Sequence, residues 1–181
     1  IRPMFYGYSK HEHQICFASE AKSLFDLCDD IMPFPPGHYY LDGQLICYNN
    51  LSDTKTINND SLDVIAQKLK DKLEAAVEKR FMSDVPIGYL LSGGLDSSLV
   101  CAIGQRLSNQ PIRTFAIGME SDPIDLKYAK QVAEYLGTEH TEVIMTKQDL
   151  YDHLKEVIYH LETFDITTIR ASMAMYILCE Y

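Results

Sequence analysis

Ser92-Gly93-Gly94-Leu95-Asp96-Ser97-Ser98 is the densest run of chemistry-bearing residues in the chain. Its two glycines let backbone N–H groups approach a ligand closely, its serines offer hydroxyls, and one carboxylate sits among them. The preceding residues, 87–91, are a short apolar run ending in Leu90-Leu91, the pattern of a strand covered on both faces. Beyond the glycines, Leu95, Leu99, Ile103 and Leu107 recur at every fourth position, which predicts a helix over 96–107. Ser92, Ser97 and Ser98 then surround a helix N-terminus, where unpaired N–H groups and the helix dipole favour an anion. The chemistry implied is phosphate binding.

The loop has neither the Gly-Lys-Ser/Thr of a Walker A loop nor the three spaced glycines of a dinucleotide fold. No lysine or arginine lies between Phe81 and Gln105. Phosphate charge there must be met by backbone dipoles, hydroxyls and a cation, and Asp96 is the one residue in the loop able to hold Mg²⁺. Ser-Gly-Gly alone is common in purely structural strand-to-helix turns. The complete Ser-Gly-Gly-x-Asp-Ser string behind an apolar strand is far more specific.

A second cluster runs from Glu162 to Ser172 and gathers two carboxylates, several hydroxyls and Arg170. Arg170 is suited to clamp a phosphate or carboxylate through its planar fork. The competing account is an ordinary helix start capped by Thr167 or Thr168. Ser83-Asp84-Val85 reads as a plain turn. His11 and His13 could share a strand face as metal ligands, but no third ligand is evident and a solvated turn explains them better.

These residues need elements to position them. Residues 1–48 read as β-rich, with strands at 4–8 and 14–18 around a polar turn. Ser19 is placed to cap a helix over 20–27, and Asp42-Gly43 to turn a hairpin between 37–41 and 44–48. Residues 49–60 hold four asparagines and two aspartates, which marks a linker. From Ser61 the pattern alternates between helix and strand. Leu62, Ile65, Leu69, Leu73, Ala76 and Val77 form the apolar face of a helix ending near Arg80. Strands at 113–118 and 141–145 bracket a helix over 125–136 with Gly137 as its stop. Thr146-Lys147-Gln148-Asp149 fits a capping box opening a helix to about 161. This order predicts an α/β parallel sheet with right-handed crossovers and a ligand at the strand C-terminal ends.

At 181 residues the chain has room for one domain or two small ones, and 46% hydrophobic residues suffice for a core. A formal charge of −10 argues against nucleic acid as the main partner. The five cysteines (Cys16, Cys28, Cys47, Cys101, Cys179) are scattered and lack a Cys-x-x-Cys, so neither zinc site nor redox pair is signalled and free thiols in a reducing, cytoplasmic compartment are expected. Asn50-Leu51-Ser52 and Asn59-Asp60-Ser61 match the glycosylation pattern but read as linker residues. No apolar run is long enough to cross a membrane. The chain starts at Ile1 and stops at Tyr181 within an expected helix, so both ends are expected to be cut.

Ser92-Gly93-Gly94-Leu95-Asp96-Ser97 resembles the loop of the ATP pyrophosphatases, which split ATP into AMP and pyrophosphate. Arg80-Phe81-Met82-Ser83-Asp84, Thr114-Phe115-Ala116-Ile117-Gly118-Met119 and the stretch from Glu162 to Ser172 narrow the resemblance to the glutamine-hydrolysing asparagine synthetases. Ile1-Arg2-Pro3-Met4-Phe5-Tyr6 and Phe17-Ala18-Ser19-Glu20-Ala21-Lys22 are similar to the end of that family's amidohydrolase domain. The resemblance implies that residues 1–50 close an α+β N-terminal-nucleophile glutaminase domain, that 51–60 link, and that 61–181 begin the ATP-pyrophosphatase domain.

The resemblance also implies the activity: ATP-dependent conversion of aspartate to asparagine through a β-aspartyl-adenylate, with glutamine or ammonia supplying nitrogen. By position, Ser92, Gly93, Gly94, Leu95, Asp96, Ser97 and Ser98 are expected to cradle pyrophosphate, with Asp96 on Mg²⁺. Leu90 and Ile117 are expected at the adenine and ribose, Thr167, Thr168 and Arg170 at the adenylating centre, and Glu162 in support. The resemblance further implies small-molecule partners, no nucleic acid or membrane, and a possible homodimer. The family's N-terminal nucleophilic cysteine, second Ser-Gly-x-Gly-x-Asp-Glu loop and catalytic lysine have no match in these 181 residues, which alone are expected to be inactive. Alternatives are another ATP pyrophosphatase, such as a β-lactam synthetase or a tRNA-modifying enzyme, and a nucleotide-binding domain without turnover.

Overall fold

The computed structural model describes residues 3–50, 57–121 and 124–181. Residues 51–56 of the expected linker lie outside the described residues, as do Leu51 and Ser52 of the first glycosylation pattern. The chain forms two compact units, Ile1–Asn59 with His160–Glu162, and Asp60–Tyr159 with Thr163–Tyr181.

In the first unit, β1 (Phe5–Ser9) pairs antiparallel with β2 (Ile15–Ala18) on one side and β3 (Cys28–Pro33) on the other. β4 (His38–Leu41) and β5 (Gln44–Cys47) form the expected hairpin. Its turn is Asp42-Gly43, both at positive φ (48° and 83°), the conformation for which Asp-Gly is suited. Two expectations fail here. The helix expected over 20–27 is only a 3-10 turn, Ala21–Leu24, and Ser19 does not cap it, because Glu20 occupies the cap position. The Glu162 carboxylate instead accepts from the Ala21 N–H at 2.8 Å and the Lys22 N–H at 2.7 Å. β3 is the strand the sequence hides: Asp29, Asp30 and Pro33 are poor strand formers, and pairing with β1 overrides them.

The second unit runs α1 (Leu62–Glu78), β6 (Gly88–Leu90), α2 (Leu95–Leu107), β7 (Arg113–Met119), α3 (Ile124–Leu136), β8 (Glu139–Met145), α4 (Lys147–Leu161) and α5 (Ile166–Glu180). The sheet is parallel in the order β6-β7-β8, in register from Gly88↔Arg113 and Arg113↔Glu139. With right-handed crossovers, that order puts α2 and α3 on one face. Leu91, Cys101, Ile112, Ala116, Leu126, Ala129 and Ala133 make the core there. α5 packs on β7 and β8, and Val143, Met145, Val157 and Met173 are buried.

Local signals set the helix boundaries. Gly137 sits at φ 70°, and its N–H and that of Thr138 both reach the Ala133 carbonyl, closing α3. Thr146 and Asp149 form a reciprocal capping box. The Asp149 carboxylate accepts from the Thr146 N–H at 2.8 Å, and the Asp149 N–H donates back to Thr146 Oγ1 at 3.2 Å.

Burial corrects the reading of β6 and decides which faces of α1 and α2 turn inward. β6 is an edge strand rather than one covered on both faces, and Leu90 is 47% exposed. The leucine stripe of α2 does not face the core: Leu95 is 81% exposed and only Ile103 of the four is buried. The helix turns Cys101 and Gly104 inward instead, since a Cβ at Gly104 would stand 2.9 Å from the Tyr89 ring. On α1 only Val77 is buried, and Leu62 and Leu69 face outward. β8 also begins at Glu139, earlier than expected. The reason is a buried polar link from Thr114 Oγ1 to Thr138 Oγ1 at 2.7 Å and to His140 Nδ1 at 2.9 Å, whose residue types read as a turn.

Leu91 is fully enclosed beneath the glycine loop, so Leu91→Ala is expected to cost about 2–5 kcal/mol in chemical denaturation. The Thr146 N–H and hydroxyl hold the Asp149 carboxyl below its usual range. Its stabilising effect is therefore present above the ordinary carboxyl pKa and lost as pH falls through the lowered one. Asp149→Asn is expected to weaken the protein at neutral pH and to flatten its loss of stability on acidification, measured as denaturation midpoints across pH.

Candidate functional site

The loop after β6 is locked by its own hydroxyls. Leu91 donates its N–H to the Phe115 carbonyl at 2.8 Å, holding the end of β6 against β7. Ser92 Oγ and Ser97 Oγ are 2.9 Å apart, the Ser92 N–H donates to Ser97 Oγ at 3.2 Å, and Ser97 Oγ donates to the Gly94 carbonyl at 3.3 Å. Gly93 turns the chain at φ 78°, and a Cβ there would meet Tyr128 and Ala129 of α3 at 2.6 Å. Gly94 is the N-cap of α2 in extended conformation, with no side-chain cap. The first amides of α2, from Leu95, Asp96 and Ser97, therefore begin the helix without intrahelical acceptors. Ser98 stands differently. Its N–H already donates to the Gly94 carbonyl at 3.0 Å, and its hydroxyl is enclosed without a partner.

Leu90 and Ile117 emerge from the same sheet face, because Leu90 is in register with Phe115 and side chains alternate along β7. That face is the one turned away from α2 and α3. Asp96 is exposed in the first turn of α2, where a carboxylate also suits the helix dipole. Among the described residues no group of three or more His, Cys, Asp or Glu side chains forms a metal cage. A single carboxylate beside open amides and hydroxyls fits an ion completed by a ligand's own phosphate oxygens.

The second cluster falls on the turn between α4 and α5 and on the start of α5. Asp165 caps α5, and neither Thr167 nor Thr168 does: the carboxylate accepts from the Thr168 N–H and hydroxyl, each at 2.7 Å. Those bonds hold the Asp165 carboxyl below its usual range. The Asp-x-x-Thr spacing was a readable signal for this cap. Glu162, at φ 53°, has its carboxylate on the Ala21 and Lys22 amides, with Lys22 Nζ at 3.7 Å. Arg170 lies one turn into α5 on the rim of an apolar pocket of about 480 Å³ between α4 and α5. Lys147, which the sequence reading did not single out, shares that rim. It opens α4 directly after β8, at the same C-terminal edge of the parallel sheet as the Ser92 loop. The Ser92 loop and Lys147 thus stand at the edge where α/β folds place ligands.

Residues 68–181 match the family described as asparagine synthase. Over 98% of its length the chain is 43% identical to the Arabidopsis thaliana asparagine synthetase [glutamine-hydrolyzing] 2, covering 32% of that protein. It is 40% identical over the same share to Escherichia coli asparagine synthetase B [glutamine-hydrolyzing], covering 34% of it. The chain thus spans about a third of the length of these curated relatives. Among solved structures, the NH3-dependent NAD synthetase from Campylobacter jejuni aligns with a TM-score of 0.42 and 24% identity, covering 64% of this chain and 51% of that one.

The two loop glycines differ in what they can tolerate. Gly94 has negative φ, and a Cβ there would meet only Ser92 Oγ at 3.5 Å. Gly94→Ala is therefore expected to keep the native melting temperature within a few degrees. Gly93→Ala combines a left-handed backbone with a backbone clash, and is expected to lose about 1–3 kcal/mol or more. Thermal unfolding of the pair checks this.

Proposed function

The chain belongs to the asparagine synthase family, and on that premise we propose that the protein makes L-asparagine from L-aspartate and ATP, releasing AMP and pyrophosphate. Glutamine or ammonia supplies the nitrogen. The observation that carries the proposal is the hydroxyl-locked Ser92–Ser97 loop, opening α2 at the C-terminal edge of a parallel sheet.

In the proposed reaction the aspartate side-chain carboxylate attacks the α-phosphorus of ATP, forming the β-aspartyl-adenylate as the bond to pyrophosphate breaks. Ammonia then attacks the acyl carbon, and AMP leaves. The departing pyrophosphate carries heavy negative charge. The Leu95, Asp96 and Ser97 amides and the Ser92 and Ser97 hydroxyls meet it with dipoles already fixed by the loop's own bonds, so little reorganisation is needed. Asp96 would hold Mg²⁺, which supplies charge neutralisation on the phosphate oxygens. Ser98 contributes through its N–H, which donates to the Gly94 carbonyl at 3.0 Å in the first turn of α2. Leu90 and Ile117 offer an apolar platform to the adenine and ribose.

Arg170 presents a planar cation to the α-phosphate or the substrate carboxylate. Thr167 and Thr168 bring the first turn of α5 to the reacting groups. Glu162 supports them at a distance, its carboxylate being committed to the Ala21 and Lys22 amides.

Residues 1–50 are read as the end of a glutamine-hydrolysing domain, 51–60 as linker and 61–181 as the start of the synthetase domain. A cytoplasmic protein working on small molecules, assembled as a homodimer, fits this function. The −10 charge speaks against a nucleic-acid partner. Among the described residues no helix is long and apolar enough to cross a membrane.

The test follows pyrophosphate release from Mg-ATP by the complete gene product, with ammonia, in the presence and absence of aspartate. Release that depends on aspartate, with asparagine formed, is the expected result. Release indifferent to aspartate would move the substrate to another class. Asp96→Ala is expected to lower turnover by a factor on the order of 10²–10³. Arg170→Lys is expected to lower it about tenfold or more, because a point charge cannot replace the fork.

A further inference from the structure

We propose that His153 is a positioning residue for the adenylating end of α5. As an imidazolium it clamps the turn of α5 at residues 176–180 to the middle of α4, and the hold loosens as the ring loses its second proton. The positioning role rests on the reading of Thr167, Thr168 and Arg170 as site residues; the clamp itself does not depend on it.

Hydrogen-bond chemistry sets the charge of the ring. Its Nδ1–H donates to the Asp149 carbonyl of its own helix at 2.7 Å, and its Nε2 stands 3.0 Å from the Glu180 carboxylate of α5. A carbonyl and a carboxylate can only accept, so each ring nitrogen must carry a proton for both contacts to hold. A neutral imidazole has one N–H and must abandon one of the two. The Tyr176 ring lies against the imidazole, with centroids 5.6 Å apart. Burial, Glu156 and Glu180 push the Tyr176 hydroxyl up, so it adds no charge, and Asp152 is turned to Gln148. The His153 pKa is raised, first by the bond to the Asp149 carbonyl and then by the Glu180 and Asp149 carboxylates, against a burial that lowers it. The clamp is therefore complete below the ordinary histidine pKa and is lost as pH rises through the raised one.

The clamp matters because α4 and α5 are not closed on each other by apolar packing. α5 rests on β7 and β8, but the pocket of about 480 Å³ separates its first half from α4, with Lys147 and Arg170 on the rim. The N-cap bond from Thr168 to Asp165 belongs to α5 and its own entry, and does not tie it to α4. A helix moves as a rod, and Arg170 lies about 15 Å along α5 from Glu180. A shift at Glu180 therefore tilts Thr167, Thr168 and Arg170 relative to Lys147, and small misplacements of reacting or orienting groups are costly to rate. The other jaw of the clamp is anchored to the sheet. Asp149, whose carbonyl holds the ring, also closes its carboxylate on Thr146 at the end of β8.

The test compares the complete gene product with its His153→Ala and Glu180→Gln variants by two readouts. Hydrogen–deuterium exchange without substrates, corrected for the intrinsic effect of pH on exchange, reads the clamp alone. Residues 176–180 are expected to be severalfold better protected in the unmutated protein at mildly acidic pH. That excess is expected to fade as pH rises and to be missing from His153→Ala. Aspartate-dependent pyrophosphate release reads the positioning. His153→Ala is expected to lower kcat about fivefold at mildly acidic pH, the scale of one lost contact, and by less above the raised pKa. KM for ATP is expected to stay unchanged, because the Ser92 loop lies on other elements. Glu180→Gln keeps an acceptor and removes the charge. It is expected to retain most of kcat at mildly acidic pH and to move the midpoint of the effect to lower pH, which a merely structural contact would not do.

Equal protection of residues 176–180 in the unmutated protein and His153→Ala at every pH would overturn the clamp. A kcat ratio between those two that is constant across pH, or a midpoint unmoved by Glu180→Gln, would overturn the positioning role. Pyrophosphate release indifferent to aspartate in the unmutated protein would overturn the synthetase reading and the positioning role with it, while the exchange result still decides the clamp.

Discussion

The turn from β6 into α2 depends on a left-handed glycine pressed against a neighbouring helix. Gly93 can hold φ 78° only because it has no Cβ, and that missing atom also lets the loop touch the backbone of α3 at Tyr128 and Ala129. With the chain folded so tightly, Ser92 comes within bonding distance of Ser97, five residues along, and the two hydroxyls close the loop on itself. The start of α2 then inherits a fixed direction relative to the sheet. Leu91 is buried directly beneath, and its N–H is tied to β7. Core packing and site geometry therefore share the same few residues.

Three helix starts of the second unit are dressed differently. α4 opens with Asp149 folded back on the Thr146 amide, and α5 opens with Asp165 on the Thr168 amide. In both, a carboxylate already occupies part of the positive helix end. α2 opens with Gly94 and no side-chain cap. An uncapped start costs helix stability, and here it leaves amides open to an external anion. The serines that could have capped α2 are turned on each other and on the loop backbone instead.

On the proposed function, a chain of formal charge −10 would have to handle a polyanionic nucleotide locally rather than through its overall field. The loop offers dipoles and no basic side chain. The cations stand elsewhere, on Lys147 and Arg170, brought to one pocket rim by the packing of α4 against α5. In the proposed reaction this arrangement would separate the ground that holds the phosphates from the charge that can respond as a phosphorus–oxygen bond breaks.

Much of this was legible in the residues alone. Ser92 to Ser97 after an apolar run, the Asp42-Gly43 hairpin, Gly137 as a helix stop and the Thr146/Asp149 box are all short-range signals, because each is satisfied within a few residues of itself. The alternation of strand and helix after Ser61 predicts a parallel sheet because each intervening helix carries the chain back to the same end of the sheet. Which side of a helix meets the core is a different matter. The leucines of α2 have the right spacing and still face outward, since it is the sheet residue Tyr89, not the helix periodicity, that selects Gly104 as the contact. β3 was hidden because only the free edge of β1 makes a strand of two aspartates and a proline. Glu162 with Ala21 and Lys147 with Arg170 are pairs made by chain segments far apart or on separate elements. Spacing along a chain encodes what a residue can do with its near neighbours; which distant side chain it meets is decided only when the elements pack.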